Sequence, residues 1–403
     1  MILRPYQTDA VDAIVTQYNI PTRDVLCLPT ASGKSIVIAE AVRRLDVPTL
    51  ILQPSLEILE QNKEKLSLYF PTEQIGVYSA SANEKVVKKI TLATIGSVVK
   101  YPELFIGFPL VLCDEAHTIS PDSPGSMYLT FLNAIRPKKV IGLTATPFRL
   151  STTYVPTSTM FGNSLEQVTT IKLITRMRGR AEKNFWDGGI IFNIPTREMI
   201  NQGYLHKPTY HDNTVLQHES IPVNKSKSDF RLDKYEELIM PHEEYIMSTI
   251  AKLANISHSI LVFCVSVEQA TRYSQVLKNS AVVSAETPKK ERRAILDKFK
   301  TGEIKTVLNV SCLTTGFDHP RLDGLVMLRP TRSLGLYSQM IGRILRIHPE
   351  KIHARIVDFS GNIKSIGHAE SIELYMNGRL PDIKTDKRTG WHGRELYRIK
   401  IDA

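Results

Sequence analysis

Short, continuously apolar runs punctuate the first part of the chain, at Val25–Leu28, Thr49–Leu52, Ile75–Tyr78, Leu110–Cys113 and Val140–Leu143. Runs of this length with no polar alternation predict strands buried on both faces. Between them, Ser35–Leu45 and Leu56–Tyr69 carry apolar residues at helical spacing. Strand and helix in alternation predict a parallel sheet covered on both sides. The pattern breaks near residue 150 and resumes after about residue 240. Strands are expected there at Ser259–Val265, Ala281–Ser284, Thr306–Val310, Gly324–Leu328 and Ala354–Phe359, and helices at Glu268–Lys278 and Pro288–Lys300. The chain is therefore expected to be α/β, with a first domain over 1–150, an insertion and connector over 151–205, a second domain over 206–360 and a basic C-terminal extension over 361–403.

Composition narrows this picture without changing it. With 42% hydrophobic and 23% charged residues the 403-residue chain falls among folded globular proteins, not disordered or fibrous ones. The formal net charge of +10 favours a polyanionic partner. The longest unbroken apolar run, Ile260–Val265, is far too short to span a bilayer. The first ten residues lack a signal-peptide core, which points to a soluble protein, cytoplasmic or nucleoid-associated. Cys27, Cys113, Cys264 and Cys312 form no CxxC pair, and reduced core thiols are expected rather than zinc ligands or disulfides.

Three segments carry candidate chemistry. Pro29, Thr30, Ala31, Ser32, Gly33, Lys34 and Ser35 follow an expected strand and open an expected helix. A phosphate needs close backbone N–H groups and the positive end of a helix dipole. Gly33 permits that approach, Lys34 can reach the β- and γ-phosphates, and the Ser35 hydroxyl can bind Mg2+. Leu28 stands where the full P-loop template has glycine. The second segment is Asp114-Glu115-Ala116-His117, directly after a buried strand. There Asp114 can hold Mg2+ and Glu115 can orient an attacking water. The third is Gln339–Arg346, in which Arg343 and Arg346 would share one face of a continuing helix and could act as arginine fingers.

Together these residues resemble the superfamily 2 helicases of the DEAD/DEAH group. Leu3-Arg4-Pro5-Tyr6-Gln7 resembles the adenine-reading motif, and Pro29–Ser35 resembles motif I. Gln53-Pro54-Ser55 and Thr94-Ile95-Gly96-Ser97 resemble motifs Ia and Ib, Asp114–His117 resembles motif II, and Thr144-Ala145-Thr146-Pro147 resembles motif III. In the second half, Val262-Phe263-Cys264 resembles motif IV, Asn309–Pro320 motif V and Gln339–Arg346 motif VI. Ala31 departs from the pattern where many relatives carry glycine, and His117 argues against the DEAD-box RNA group. Ile194–Leu205 resembles the helix and linker leading into the second domain of DNA repair and recombination helicases of the UvsW, RadD and XPB-like kinds, which favours DNA over RNA.

The resemblance implies two tandem RecA-like domains, each a parallel sheet flanked by helices, with ATP in the interdomain cleft. It implies that Arg4 and Gln7 read adenine, that Gly316 and Asp318 help form the second domain's side of the site, and that Gln339 joins Lys34, Asp114, Glu115, Arg343 and Arg346 in catalysis. It also implies that Thr144 and Thr146 link nucleotide state to domain geometry. Ser55, Thr94, Ser97 and Thr314 are candidates for phosphate-backbone contacts, each with a cap or turn role as the alternative. Arg176, Arg178 and Arg180, with Lys172 and Lys183, could hold duplex DNA or form a solvated face. Trp186 and Trp391 could stack on bases or be buried. The expected function is ATP-driven movement on duplex or branched DNA in repair, recombination or replication. The alternatives are a translocase subunit of a restriction or nuclease complex, an RNA helicase and a decayed, non-catalytic scaffold. Oligomeric state is left open by the sequence.

Overall fold

The computed structural model describes residues 2–119, 126–159, 162–175, 185–224, 228–314, 316–377, 380–387 and 395–401. In chain order the first elements are α1 (Pro5–Gln17), β1 (Arg23–Cys27), α2 (Lys34–Leu45), β2 (Thr49–Gln53), α3 (Leu56–Leu66), β3 (Ile75–Ser79), β4 (Glu84–Lys85), β5 (Ile90–Thr94), α4 (Ile95–Val98), β6 (Leu110–Asp114), α5 (Met127–Ile135) and β7 (Lys139–Thr144). Two long strands follow, β8 (Phe148–Thr159) and β9 (Gly162–Leu173), and then β10 (Gly189–Asn193). The chain divides into two compact units. One is built mainly from residues 1–147 with 173–194, the other mainly from 148–172 and 195–403.

The first unit holds an eight-stranded sheet in the order β10-β1-β7-β6-β2-β5-β3-β4. Every pairing is parallel except that of β3 with β4. The four apolar residues that open β6 are all fully buried, as a strand covered on both faces requires. Burial of each such side chain stabilises by roughly 1.5–3 kcal/mol.

The edge strand β10 lies inside the segment read from sequence as an insertion and connector. Long-range contacts hold it there. The Arg23 N–H donates to Asp187 (2.7 Å), and a Cβ on Gly188 would collide with the Asp24 carboxylate, which itself pairs with the buried Lys139 amine. Trp186 is fully buried against Gly142, where any side chain would meet its ring. Of its two alternatives, burial is the one realised.

The second unit continues with α6 (Thr196–Asn201), β11 (Thr209–Asp212), α7 (Leu232–Ile239), α8 (Glu243–Ile256), β12 (Ile260–Phe263), α9 (Val267–Val276), β13 (Ser280–Val283), α10 (Lys289–Thr301), β14 (Thr306–Asn309), β15 (Gly324–Met327), α11 (Leu334–Gly342), β16 (Arg355–Asp358) and α12 (Asn362–Ile366). Its parallel sheet has the order β11-β16-β15-β12-β14-β13. The final strands are β17 (Glu373–Asn377), β18 (Leu380–Lys384) and β19 (Glu395–Ile401). The residues read as a C-terminal extension thus supply β19, which pairs antiparallel with β9 in a small sheet with β8. Among the described residues no helix is long and apolar enough to cross a membrane.

Candidate active site

In the first unit, candidate residues gather at the carboxyl ends of β1, β7 and β6, three adjacent parallel strands. Ligands of open α/β sheets bind at this edge. The phosphate loop leaves β1 and enters α2 through Gly33, whose φ of +80° places it in the left-handed region as helix N-cap. No side chain caps the first turn of α2, so its N-terminus is open to an anion. Ala31 also has positive φ, at +71°, which explains why glycine suits this position.

Two α1 residues brace the loop. The Tyr6 hydroxyl donates to the Ser32 carbonyl (2.7 Å), and Gln7 Nε2 donates to the same oxygen (3.1 Å). Gln7 Oε1 accepts the Arg4 N–H (3.0 Å). Gln7 is buried, and its amide ties the start of α1 to the phosphate loop. A Cβ on Gly33 would approach Gln7 Nε2 to 2.7 Å, so the two positions constrain each other.

The Lys34 amine donates back to the Leu28 carbonyl (3.4 Å), and the Leu28 N–H donates to the Thr144 carbonyl (3.0 Å). Thr144 Oγ1 in turn lies 2.9 Å from His117 Nδ1 and accepts the Thr146 N–H (3.0 Å). His117 Nδ1 also lies 3.4 Å from Glu115 Oε2. Burial holds the His117 imidazole below the usual histidine range, so it contacts Glu115 as a neutral ring. One polar chain therefore runs from the phosphate loop through Thr144 to the Asp114–Glu115 pair.

Asp114 and Glu115 are both buried, and Glu115 adopts φ +50° as the chain turns off β6. Asp114 accepts the Glu115 N–H (2.9 Å) and a hydrogen bond from Asn62 Nδ2 on α3 (2.9 Å). Burial, reinforced by the neighbouring Glu115 carboxylate, pushes the Asp114 carboxyl up to about 6, against the opposing pull of Lys34 and Asn62. Among the described residues no lysine or arginine lies within ion-pair distance of either carboxylate. Two adjacent buried carboxylates with Lys34 near enough to be felt, but with no cation at ion-pair distance among the described residues, suit a hard divalent cation, and the Ser35 hydroxyl opening α2 offers a further oxygen.

Asn62 is a site residue that the motif reading passed over. The signal was present: it occupies the apolar stripe of α3 with Ile58, Leu59 and Leu66, all buried. A polar residue on such a stripe needs a polar partner.

The other first-unit candidates divide. Ser55 caps α3, accepting the Ile58 N–H (3.5 Å). Thr94 and Ser97 share a hydroxyl cluster with Ser79 and Ser81, and Ser97 Oγ also accepts the Ala80 N–H.

In the second unit, Asn309 Oδ1 accepts the N–H groups of Cys312 and Leu313, shaping the loop that leads to Gly316 (φ +69°). Helix α11 ends at Gly342, which corrects the expectation that Arg343 and Arg346 share a helical face. Arg343 is buried and donates to the carbonyls of Phe317 (2.8 Å) and Thr314 (2.7 Å), clamping the helix end onto that loop. Arg346 lies beyond the helix and pairs through Nε with Asp318 Oδ1 (2.7 Å). Gln339 is buried on α11. Lys351, unremarked in the sequence, is buried and donates to the Ile344 and Arg346 carbonyls. Arg176, Arg178, Arg180, Lys183, Thr315 and Trp391 lie outside the described residues.

The chain matches two family models: the res subunit of type III restriction enzymes over residues 1–149, and the helicase conserved C-terminal domain over residues 242–348. It is 27% identical to IRC3 of Saccharomyces cerevisiae, a candidate ATP-dependent helicase, over 96% of this chain and 55% of that protein. It is also 27% identical to the DNA 3'-5' translocase XPB2 of Sulfurisphaera tokodaii, over 85% of this chain and 78% of XPB2. The chain thus spans little more than half the length of the first of these relatives. Among solved structures it resembles a fragment of a candidate HsdR subunit of a type I restriction enzyme from Vibrio vulnificus. That match has a TM-score of 0.65 and 19% identity, covering 91% of this chain and 66% of the other.

Proposed function

We propose that this chain, which belongs to the superfamily 2 helicases and resembles their XPB-like DNA helicases, hydrolyses ATP to drive movement on, or remodelling of, duplex or branched DNA. The observation that carries this reading is the single polar chain joining the phosphate loop to Asp114 and Glu115 through Leu28, Thr144 and His117. In this reading Lys34 and the open N-terminus of α2 bind the phosphates, and Arg4 lies toward the base. Ser35 and Asp114 hold Mg2+, which when bound neutralises phosphate charge. Glu115 takes the proton of the attacking water, with the neutral His117 ring holding its orientation. Thr144 and Thr146 couple occupancy of the site to the fold around them.

In the second unit the roles separate. Arg343 maintains the loop that carries Thr314, Gly316 and Asp318. Arg346 supplies positive charge to the transferring phosphoryl group. Asp318 holds the Arg346 guanidinium through an ion pair. A role in repair or recombination follows from the similarity of Ile194–Leu205 to linkers of helicases with those tasks.

Phosphate release measured with single-stranded, duplex, forked and four-way DNA, and with RNA, tests the proposal. DNA should stimulate turnover more than RNA, and Lys34→Ala should abolish the stimulated rate while the fold survives. Unchanged turnover in Lys34→Ala, or stimulation by RNA alone, would overturn it. A second reading, a translocase subunit of a restriction complex, is favoured by the match of residues 1–149 to restriction-enzyme res subunits. Displacement of a triplex strand without unwinding of a fork would support that reading instead.

A further inference from the structure

Helix α11 stops at Gly342, so no helical hydrogen bond fixes the backbone from which Arg346 projects. Three consecutive carbonyls beyond the helix are instead held from outside it. Lys351 Nζ donates to the Ile344 carbonyl and to the Arg346 carbonyl (3.0 Å), and the His206 N–H donates to the Leu345 carbonyl between them (2.7 Å). Lys351 is only 8% exposed, and its own N–H closes a turn onto the His348 carbonyl (3.0 Å). A buried amine is tolerated where its donors are used, and this one spends two on the loop carrying Arg346. The charges around it are the Arg346 guanidinium and the Asp323 carboxylate. The Arg346 side chain is held in turn by Asp318. Backbone and side chain of this arginine are therefore anchored by different residues.

We propose that Lys351 is a positioning residue for ATP hydrolysis: by gripping the Ile344 and Arg346 carbonyls it sets the loop from which Arg346 meets the transferring phosphoryl group. The proposal rests on the reading of Arg346 given above. Displacement of a charge-stabilising group by about 1 Å costs on the order of 100-fold in rate. The loss should therefore fall on kcat and not on ATP binding.

The test is a double-mutant cycle on the full chain, with DNA-stimulated phosphate release as readout. Lys351→Met should lower kcat by roughly 10- to 100-fold while KM for ATP and affinity for DNA stay within about twofold. Lys351→Arg, which keeps donors, should recover most of that rate. Arg346→Ala should lower kcat by about 1000-fold. The double variant Lys351→Met with Arg346→Ala should be no slower than Arg346→Ala alone, because the positioned group is already gone.

Wild-type kcat in Lys351→Met, equal impairment of the Met and Arg variants, or multiplying losses in the double variant would each overturn the proposal. Wild-type kcat in Arg346→Ala would instead refute the role given to the arginine, and the role of Lys351 would fall with it. If Lys351→Met does not fold, Lys351→Gln completes the same cycle.

Discussion

Replacing Ala31 by glycine tests the shape of the phosphate loop directly. Ala31 has φ +71°, and Gly33, two residues on, has φ +80°. In that region a Cβ crowds the following carbonyl at a cost of about 1–2 kcal/mol. Glycine at position 31 removes this cost, but it frees the unfolded chain by roughly 0.5–1 kcal/mol. The balance favours the folded variant by about 0.5–1 kcal/mol, or a rise of about 1–3 °C in unfolding midpoint for a unit of this size. Gly33→Ala should act in the opposite direction. It acquires the backbone cost, and its Cβ would stand 2.7 Å from Gln7 Nε2, disrupting the bond from Gln7 to the Ser32 carbonyl. Thermal unfolding by circular dichroism, with and without a non-hydrolysable ATP analogue, reads both variants. A midpoint for Ala31→Gly more than 2 °C below the parent, or a Gly33→Ala protein that binds nucleotide like the parent, would refute the described loop.

Two further predictions follow from buried polar groups. Asn62→Leu keeps the volume of the side chain but removes a donor to Asp114, a hydrogen bond to a charged group worth about 1.5–3 kcal/mol. Steady-state kcat/KM for Mg-ATP should drop roughly 10- to 100-fold, and a change under twofold would remove Asn62 from the site. Burial, chiefly, pushes the His218 imidazole down to about 4. A depressed histidine contributes stability that is complete above its unfolded value near 6.5 and is lost as pH falls toward 4, a total of about 3 kcal/mol. Chemical denaturation across that window should show a steeper acid loss in the parent than in His218→Gln, and parallel curves would rule out a buried neutral His218.

What was legible in the sequence was whatever depends on local chemistry. Most strands of both sheets announced themselves as short runs of consecutive apolar residues, which suit a sheet covered on both faces. The phosphate loop was equally local: a glycine, a lysine and a hydroxyl between a strand and a helix. Strand β5 was missed because Thr91 and Thr94 leave Ile90–Thr94 without a continuous apolar run of the kind that marked the other strands, although the first four residues are buried. Strand β10 was missed because its place depends on Asp187 and Gly188 meeting Arg23 and Asp24, more than 160 residues away in sequence. The short apolar stretch 189–193 contains nothing that says which sheet it joins. Asn62 was readable in principle, as the polar residue on an apolar helical stripe, whereas Lys351 sits in a turn whose neighbours give no period to break.

Arg343 and Arg346 show where spacing alone misleads. Two arginines three apart share a face only while the helix lasts, and α11 ends one residue before the first of them. Beyond Gly342 the chain is held by side chains and by another segment instead of by the helical ladder. The Arg343 guanidinium is spent on the Thr314 and Phe317 carbonyls, and the carbonyls of Ile344, Leu345 and Arg346 accept from Lys351 and His206. Each of these bonds removes freedom from a loop that carries a charge. The same logic governs the first unit, where Tyr6 and Gln7 hold the phosphate loop through one carbonyl and Asn62 holds Asp114. In both units the charged group that a motif names is set by a buried polar residue beside it. Conservative changes at Gln7, Asn62 and Lys351 should therefore separate catalytic rate from nucleotide affinity more cleanly than removal of the charged groups themselves.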